Sequence, residues 1–149
     1  MKVREAMTRE VKVAAPGDTL AQAAQTMAEA DIGFLPIAEA DRLVGMLTDR
    51  DIAVRGVAAG KGPGALVREA MTADVRYCFE DEDLAEAAQN MGELQVRRLP
   101  VLSREKRLVG VLSLADTALN YSPQVAGSAL CAIVEPGGER SQHPGERLQ

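Results

Sequence analysis

The chain contains one unit twice. Val3-Arg4-Glu5-Ala6-Met7-Thr8 returns as Val67-Arg68-Glu69-Ala70-Met71-Thr72, and residues 3–37 match residues 67–101 at 16 of 35 positions. After a shift of one residue the register resumes, and residues 42–51 match 107–116 at 6 of 10 positions, including Arg-Leu-Val-Gly and the closing Asp. Whatever this chain folds into has to be built from a pair of units of about 60 residues. At 149 residues the chain has the length of one ordinary domain, so the two halves are expected to share one core.

Charge and composition narrow the function classes. A formal net charge of -5 argues against broad attachment to nucleic acid or to an anionic membrane, both of which need a basic field. The conspicuous basic cluster is Arg97, Arg98, Arg104, Lys106 and Arg107, and the last three fall in an expected turn, where they read as a solvated edge. No apolar run approaches the roughly 18 residues of a membrane span, and Met1-Lys2-Val3-Arg4-Glu5 lacks the apolar stretch of a signal peptide. The expectation is a soluble, cytoplasmic protein. Cys78 and Cys131 stand far apart and outside any metal-ligand spacing, so both are read as reduced core residues, and no metal site is expected.

Both halves present their elements in the same order. Val11-Lys12-Val13 is a short strand candidate. Pro16-Gly17-Asp18 breaks the chain, and Leu20, Ala23, Ala24 and Met27 then recur at helical spacing behind a cap at Asp18 or Thr19. Ile32 to Ile37 and Leu43 to Leu47 read as two strands reversing through Glu39-Ala40-Asp41-Arg42, with a second helix from Thr48 to about Ala59. The second half repeats this at Val75 to Phe79, Leu84 to Gly92, Val96 to Leu102, Leu108 to Leu112 and Ser113 to Asn120. The expected class is α+β with the order β-α-β-β-α twice. The expected division is repeat one over 1–59, a linker over 60–66, repeat two over 67–121, a further segment over 122–134 and a polar tail over 135–149. Within the further segment, Val125, Leu130, Ile133 and Val134 are candidates to pack. Gly60-Lys61-Gly62-Pro63-Gly64 is not a phosphate loop: the P-loop and dinucleotide spacings are absent, and Pro63 removes a backbone donor. The tail is too polar to order itself by burial.

Two matched segments carry polar groups directly after a strand: Gly45-Met46-Leu47-Thr48-Asp49-Arg50-Asp51 and Gly110-Val111-Leu112-Ser113-Leu114-Ala115-Asp116. A hydroxyl followed three residues later by a carboxylate at a helix start is a capping box, which accounts for the spacing without a ligand. The same geometry also suits a nucleotide. A helix N-terminus with Thr48 or Ser113 as an added donor favours phosphate, and the carboxylate of Asp51 or Asp116 suits paired ribose hydroxyls. Spacing alone leaves both readings open. A second matched pair is Gly33-Phe34-Leu35-Pro36-Ile37 against Arg97-Arg98-Leu99-Pro100-Val101. Proline at an apolar strand start reads as an edge position, along which a flat base could lie. Arg97 and Arg98 can make bidentate bonds to phosphate that Gly33-Phe34 cannot, with Arg50 as partial compensation in the first half.

With these residues in place, the chain closely resembles the tandem CBS-domain family, also called the Bateman module, and particularly its small stand-alone bacterial members. The resemblance spans residues 1 to about 120. It rests on Asp31-Ile32-Gly33-Phe34-Leu35-Pro36, on Gly45 to Asp51, on Gln95-Val96-Arg97-Arg98-Leu99-Pro100-Val101 and on Arg107-Leu108-Val109-Gly110-Val111. It implies two CBS repeats packed about a pseudo-twofold axis, with clefts that bind adenine nucleotides or related adenosyl ligands. Carried over by motif position, Asp51 and Asp116 would hold ribose, Thr48 and Ser113 would assist at phosphate or sugar, and Arg97 and Arg98 would meet phosphate. The backbone around Val11 and Val75 would contact the base, with Leu35-Pro36 and Leu99-Pro100 as apolar walls. Gly33-Phe34 departs from the basic pair, which sets the two sites apart.

The implied function is regulatory. An adenine nucleotide such as AMP, ADP or ATP, or an adenosyl ligand such as NAD or S-adenosylmethionine, acts as the regulatory ligand of a homodimer whose changed shape is read by a separate protein effector. No catalytic cofactor is expected, and no enzyme: His143 is the sole histidine and lies in the tail, so a Ser-His-Asp or Cys-His arrangement would require that tail to fold back into a cleft. The alternative is a structural or interaction dimer in which both Thr/Ser-x-x-Asp segments are caps only.

Overall fold

The computed structural model describes residues 1–136. Of the tail expected over 135–149, residues 137–149, His143 among them, lie outside those described. Two compact units are present, and they cut across the repeats. One is Glu10–Val75, and the other joins Met1–Arg9 to the chain from Arg76 onward. The first Val-Arg-Glu-Ala-Met-Thr therefore packs with the elements of repeat two, and the second copy packs with those of repeat one. Each unit has its own apolar cluster, one around Leu35, Ile37 and Leu47 and the other around Leu84, Met91, Leu99 and Leu112. The expected single shared core is thus replaced by two.

The short helix α1 (Val3–Ala6) and the single 3-10 turn Val67–Glu69 show what the repeated hexapeptide does. Glu5 Oε2 accepts from the Lys2 N–H at 2.6 Å and Glu69 Oε2 from the Leu66 N–H at 2.7 Å, so each glutamate satisfies a free donor at the start of its own turn. That backbone bond is the main reason the Glu69 carboxyl titrates below its ordinary value. Neither turn was anticipated from periodicity, because each is only about one turn long.

In the Glu10–Val75 unit, α2 (Leu20–Ala30) begins on a reciprocal cap. The Gln22 N–H donates to Thr19 Oγ1 at 3.1 Å and the Thr19 N–H to Gln22 Oε1 at 2.8 Å, whereas Asp18 accepts from the Ala15 N–H. The carbonyls of Pro63 and Ala65 accept from Ala21 and Leu20, so the segment read as a linker also covers the start of this helix. β1 (Phe34–Glu39) and β2 (Arg42–Thr48) form an antiparallel hairpin through Ala40 and Asp41, both at positive φ (49° and 65°), as a two-residue turn requires. β2 runs into α3 (Asp49–Asp51), which widens into a π-helical turn over Ile52–Val57, closed by the Ala58 N–H on Ala53 O.

The expected strand at Val11–Val13 is reduced to one parallel bridge, Ala14 to Ile37. The reason lies in Pro36. Ala14 donates to Pro36 O and its own carbonyl accepts from Ala38, so the next rung back would need an N–H on residue 36, which proline lacks. Proline therefore stands in a strand flanked on both sides, and it ends the neighbour rather than marking an edge. On the opposite side of β2, Met46 and Thr72 exchange two backbone hydrogen bonds at 2.9 and 2.8 Å.

The second unit follows the same plan. β3 is only Cys78–Phe79, parallel to β4 (Arg98–Leu102), which pairs antiparallel with β5 (Leu108–Ser113). The strand expected from Val75 is cut short where Pro100 repeats the role of Pro36. Thr8 and Val111 exchange bonds at 2.9 and 3.0 Å on the far side of β5, and the carbonyl of Met1 accepts from Leu84 at the start of α4 (Leu84–Leu94). After α5 (Leu114–Asn120) comes α6 (Pro123–Val134), capped by Ser122 Oγ. Where only a short apolar segment was expected, α6 lies close along α4: a Cβ on Gly92 would meet Ala132 Cβ at 3.1 Å. Ala126, Ala129 and Ile133 are buried and Val125 packs at the margin, but Leu130 and Val134 are exposed, contrary to expectation. Cys78 is buried as expected and Cys131 is exposed on α6.

Candidate functional site

Each unit contains one corner at which a strand turns into a helix behind a hydroxyl and a carboxylate. In the first, Thr48 ends β2 and its Oγ1 accepts from the Asp51 N–H at 3.0 Å, while Asp51 Oδ2 accepts from the Thr48 N–H at 2.9 Å. In the second, Ser113 Oγ accepts from the Asp116 N–H at 3.0 Å and Asp116 Oδ2 from the Ser113 N–H at 2.9 Å. The two corners are the same to within a tenth of an ångström. All four side chains are half-buried. The capping-box reading therefore holds as local chemistry. It uses one oxygen of each carboxylate for one bond, and a carboxylate has acceptor capacity for about four.

The adjoining strand start is also fixed in the same way. Thr48 faces Phe34 across the hairpin and the Asp49 N–H donates to Gly33 O at 2.9 Å; Ser113 faces Arg98 and the Leu114 N–H donates to Arg97 O at 2.9 Å. The differing dipeptides thus stand at equivalent places beside equivalent corners. Arg97 and Arg98 are exposed beside the Ser113–Asp116 box. At the first corner, Arg50 is exposed and its N–H donates to Asp49 Oδ1 at 2.8 Å, while Arg55 Nε lies 3.9 Å from Asp51 Oδ1.

Of the anticipated site residues, Val11, Pro36, Thr48, Arg50, Asp51 and Val75 fall in the Glu10–Val75 unit, and Arg97, Arg98, Pro100, Ser113 and Asp116 in the other. Val11 and Val75 are half-buried; Pro36 and Pro100 are buried within their strands. Sequence reasoning sets Asp49-Arg50 against Leu114-Ala115 as a difference between the repeats but missed Asp49 as a site residue; its Oδ2 lies 2.9 Å from the place a Cβ on Gly33 would occupy. It also missed the seating of Met71 and Met7 over Gly45 and Gly110, where an added Cβ would come within 2.6 and 2.7 Å of sulfur. The signal was available, because both glycines and both methionines are among the identities between repeats.

A family model for the CBS domain matches residues 3–56 and again residues 67–118. The chain belongs to the CBS-domain family. Hypoxic response protein 1 of Mycobacterium tuberculosis is 41% identical over 135 residues, spanning 89% of this CBS pair and 94% of the relative. The crystal structure of Hypoxic Response Protein I with two coordinated zinc ions superposes at a TM-score of 0.74 with 43% identity, over 80% of this chain and 98% of the other. Among the described residues of the present CBS pair, no group of three or more His, Cys, Asp and Glu side chains could hold a metal ion. The CBS pair of MJ0100, crystallised with 5'-methylthioadenosine and S-adenosyl-L-methionine, superposes at 0.74 with 26% identity, over 83% and 98% of the two chains. CBSX2 in complex with AMP superposes at 0.71 with 25% identity, over 78% and 93%. No helix among the described residues is long and apolar enough to cross a membrane.

Proposed function

We propose that this CBS pair is a regulatory module that binds an adenine nucleotide or a related adenosyl ligand at its two Thr/Ser-x-x-Asp corners and has no catalytic activity of its own. The observation that carries the reading is the pair of half-buried, geometrically matched carboxylates, Asp51 and Asp116, in a fold whose solved neighbours hold AMP, S-adenosyl-L-methionine and 5'-methylthioadenosine. Each carboxylate keeps acceptor capacity for ribose hydroxyls beyond the one bond its cap requires. Arg97 and Arg98 supply charge-assisted donors for phosphate at the second corner. Thr48 and Ser113 assist at phosphate or sugar, each at its own corner, the backbone near Val11 and Val75 meets the base, and Pro36 and Pro100 stiffen the strands behind it. The functional form is a cytoplasmic homodimer, and binding favours whichever arrangement of it holds the ligand more tightly, to be read by a protein effector.

The test is calorimetry and thermal shift with AMP, ADP, ATP, NAD and S-adenosylmethionine. Ligand at about 100 times its Kd stabilises the fold by roughly 2.7 kcal/mol, and Asp116→Ala removes most of that gain. Absence of a shift with all five ligands would sink the proposal. It would leave a structural or interaction dimer, a reading favoured by one observation: both boxes are satisfied by their own reciprocal bonds.

A further inference from the structure

We infer that Asp49 sorts the ligands of the two corners by charge, so that the Thr48–Asp51 corner takes an uncharged or cationic adenosyl ligand and the Ser113–Asp116 corner takes a phosphorylated one; this rests on the adenosyl reading above. The backbone pairing of the two repeats is equivalent here. Asp49 N–H to Gly33 O and Leu114 N–H to Arg97 O are the same bond at the same length of 2.9 Å. At the spot from which the Arg97 side chain departs in one unit, the other has a glycine, and the space a side chain there would enter is taken by the Asp49 carboxylate, 2.9 Å from the ideal Cβ position. Position for position, Gly33 stands against Arg97 and Asp49 against Leu114, so the first corner gains a carboxylate that the second lacks and lacks an arginine that the second has.

The charges placed at the first corner include Asp49, Asp51, Arg50 and Arg55, and those at the second include Asp116, Arg97 and Arg98. Arg55 is directed to Asp51, with Nε 3.9 Å from Oδ1, and so offsets the ribose carboxylate rather than Asp49. A dianionic phosphate brought to the first corner meets the Asp49 carboxylate where the second corner offers arginine. Like charges at close range disfavour each other, and the penalty weakens as salt rises. A neutral nucleoside feels little of this, and a sulfonium is attracted. Glycine at 33 is part of the same device, since any side chain there would have to displace the Asp49 carboxylate.

The experiment is calorimetric titration of the full chain and of Asp49→Asn with AMP, adenosine and S-adenosylmethionine at low and high salt. Asparagine keeps the size of the exposed side chain and an acceptor oxygen for the Arg50 N–H, so the fold is retained. The expected result is that the weaker of two AMP steps strengthens about tenfold, or 1.4 kcal/mol, in Asp49→Asn. Adenosine stays within about twofold, S-adenosylmethionine weakens severalfold, and high salt narrows the AMP difference. A change shared equally by all three ligands, or none for any, overturns the sorting role while leaving adenosyl binding intact. No binding of any of the three to either chain, with no shift from ADP, ATP or NAD either, overturns the adenosyl reading and the inference with it. Asp49→Leu, which installs the residue of the second repeat, has to give the same order of effects.

Discussion

Gly110→Ala tests whether the amino-terminal segment is a structural part of the second unit. The added Cβ would lie 2.7 Å from Met7 Sδ and 2.8 Å from Thr8 O, both closer than packed carbons tolerate. The thioether can turn away, but the carbonyl is held by the Val111 N–H at 3.0 Å, with the Thr8 N–H returned to Val111 O at 2.9 Å. Overpacking of this kind costs about 1–3 kcal/mol. Releasing the segment altogether would cost more. It would expose Val3 and Met7, now 0% and 8% accessible, at about 1.5–3 kcal/mol each, and break two hydrogen bonds worth about 0.5–1.5 kcal/mol apiece. The segment should therefore stay docked under strain, with a loss of about 2 kcal/mol and a fall in midpoint of about 4–8 °C for a chain of this length. Gly64→Ala is the control, since nothing stands within 4 Å of its Cβ and it carries the same change in unfolded-chain entropy. Thermal denaturation gives the magnitude, and hydrogen exchange at the Thr8 and Val111 amides gives the location. Equal midpoints for the two variants, or unchanged protection at Thr8 in Gly110→Ala, would refute the docking.

Other perturbations follow from the same contacts. Thr48→Ala and Ser113→Ala each remove one side-chain acceptor of a cap and should cost about 0.5–2 kcal/mol by urea denaturation of ligand-free protein. Burial pushes the Cys78 thiol up to about 12 from its ordinary 9. Its folded pKa is raised, so its contribution is complete below about pH 9 and is lost as pH climbs towards 12. Denaturation from pH 8 upward should show wild type losing stability relative to Cys78→Ala, and native thiol labelling should modify Cys131 and spare Cys78. Gln95 Nε2 donates to Ala132 O at 3.2 Å and Glu135 O at 2.8 Å, which ties the end of α4 to the end of α6. Gln95→Ala should loosen the last turn of α6 by about 1 kcal/mol, seen as faster exchange of the Glu135 amide.

The elements most legible in the sequence were those whose pattern is local. α2, α4 and the two hairpins follow from apolar spacing and turn chemistry, and the two hydroxyl–carboxylate caps from a three-residue interval. The strands before each helix were over-read because their length is set by a residue some twenty positions away. Val11–Val13 has strand composition, but the partner it needs is the nitrogen of Pro36, which cannot donate. Asp49 is legible as a difference from Leu114, but its place beside Gly33 is not, because that contact is with the absence of a side chain, and an absence has no periodicity. α6 was half-read for a similar reason: it packs through Ala126, Ala129 and Ile133, with Ala132 close to Gly92 of α4, while Leu130 and Val134 point outward.

The exchange of the hexapeptides could not be read at all, because a repeat states what recurs and not which copy packs with which. Both copies end in Met-Thr, both meet a glycine in the last strand of a hairpin, and both thereonines give and take the same pair of backbone bonds. Either copy would satisfy either groove. Connectivity decides between them. Residues 67–72 follow the first hairpin through the Gly60–Gly64 segment, whose Pro63 and neighbouring Ala65 carbonyls are already engaged at the start of α2, so this copy is delivered to the first unit as its linker is fixed there. The copy at residues 3–8 then fills the matching place on β5, where the Met1 carbonyl engages the start of α4 in the same manner. The identity of the hexapeptides reflects this requirement. Two equivalent grooves, each floored by a glycine and walled by a helix start, demand the same valine, alanine and methionine from whichever copy arrives.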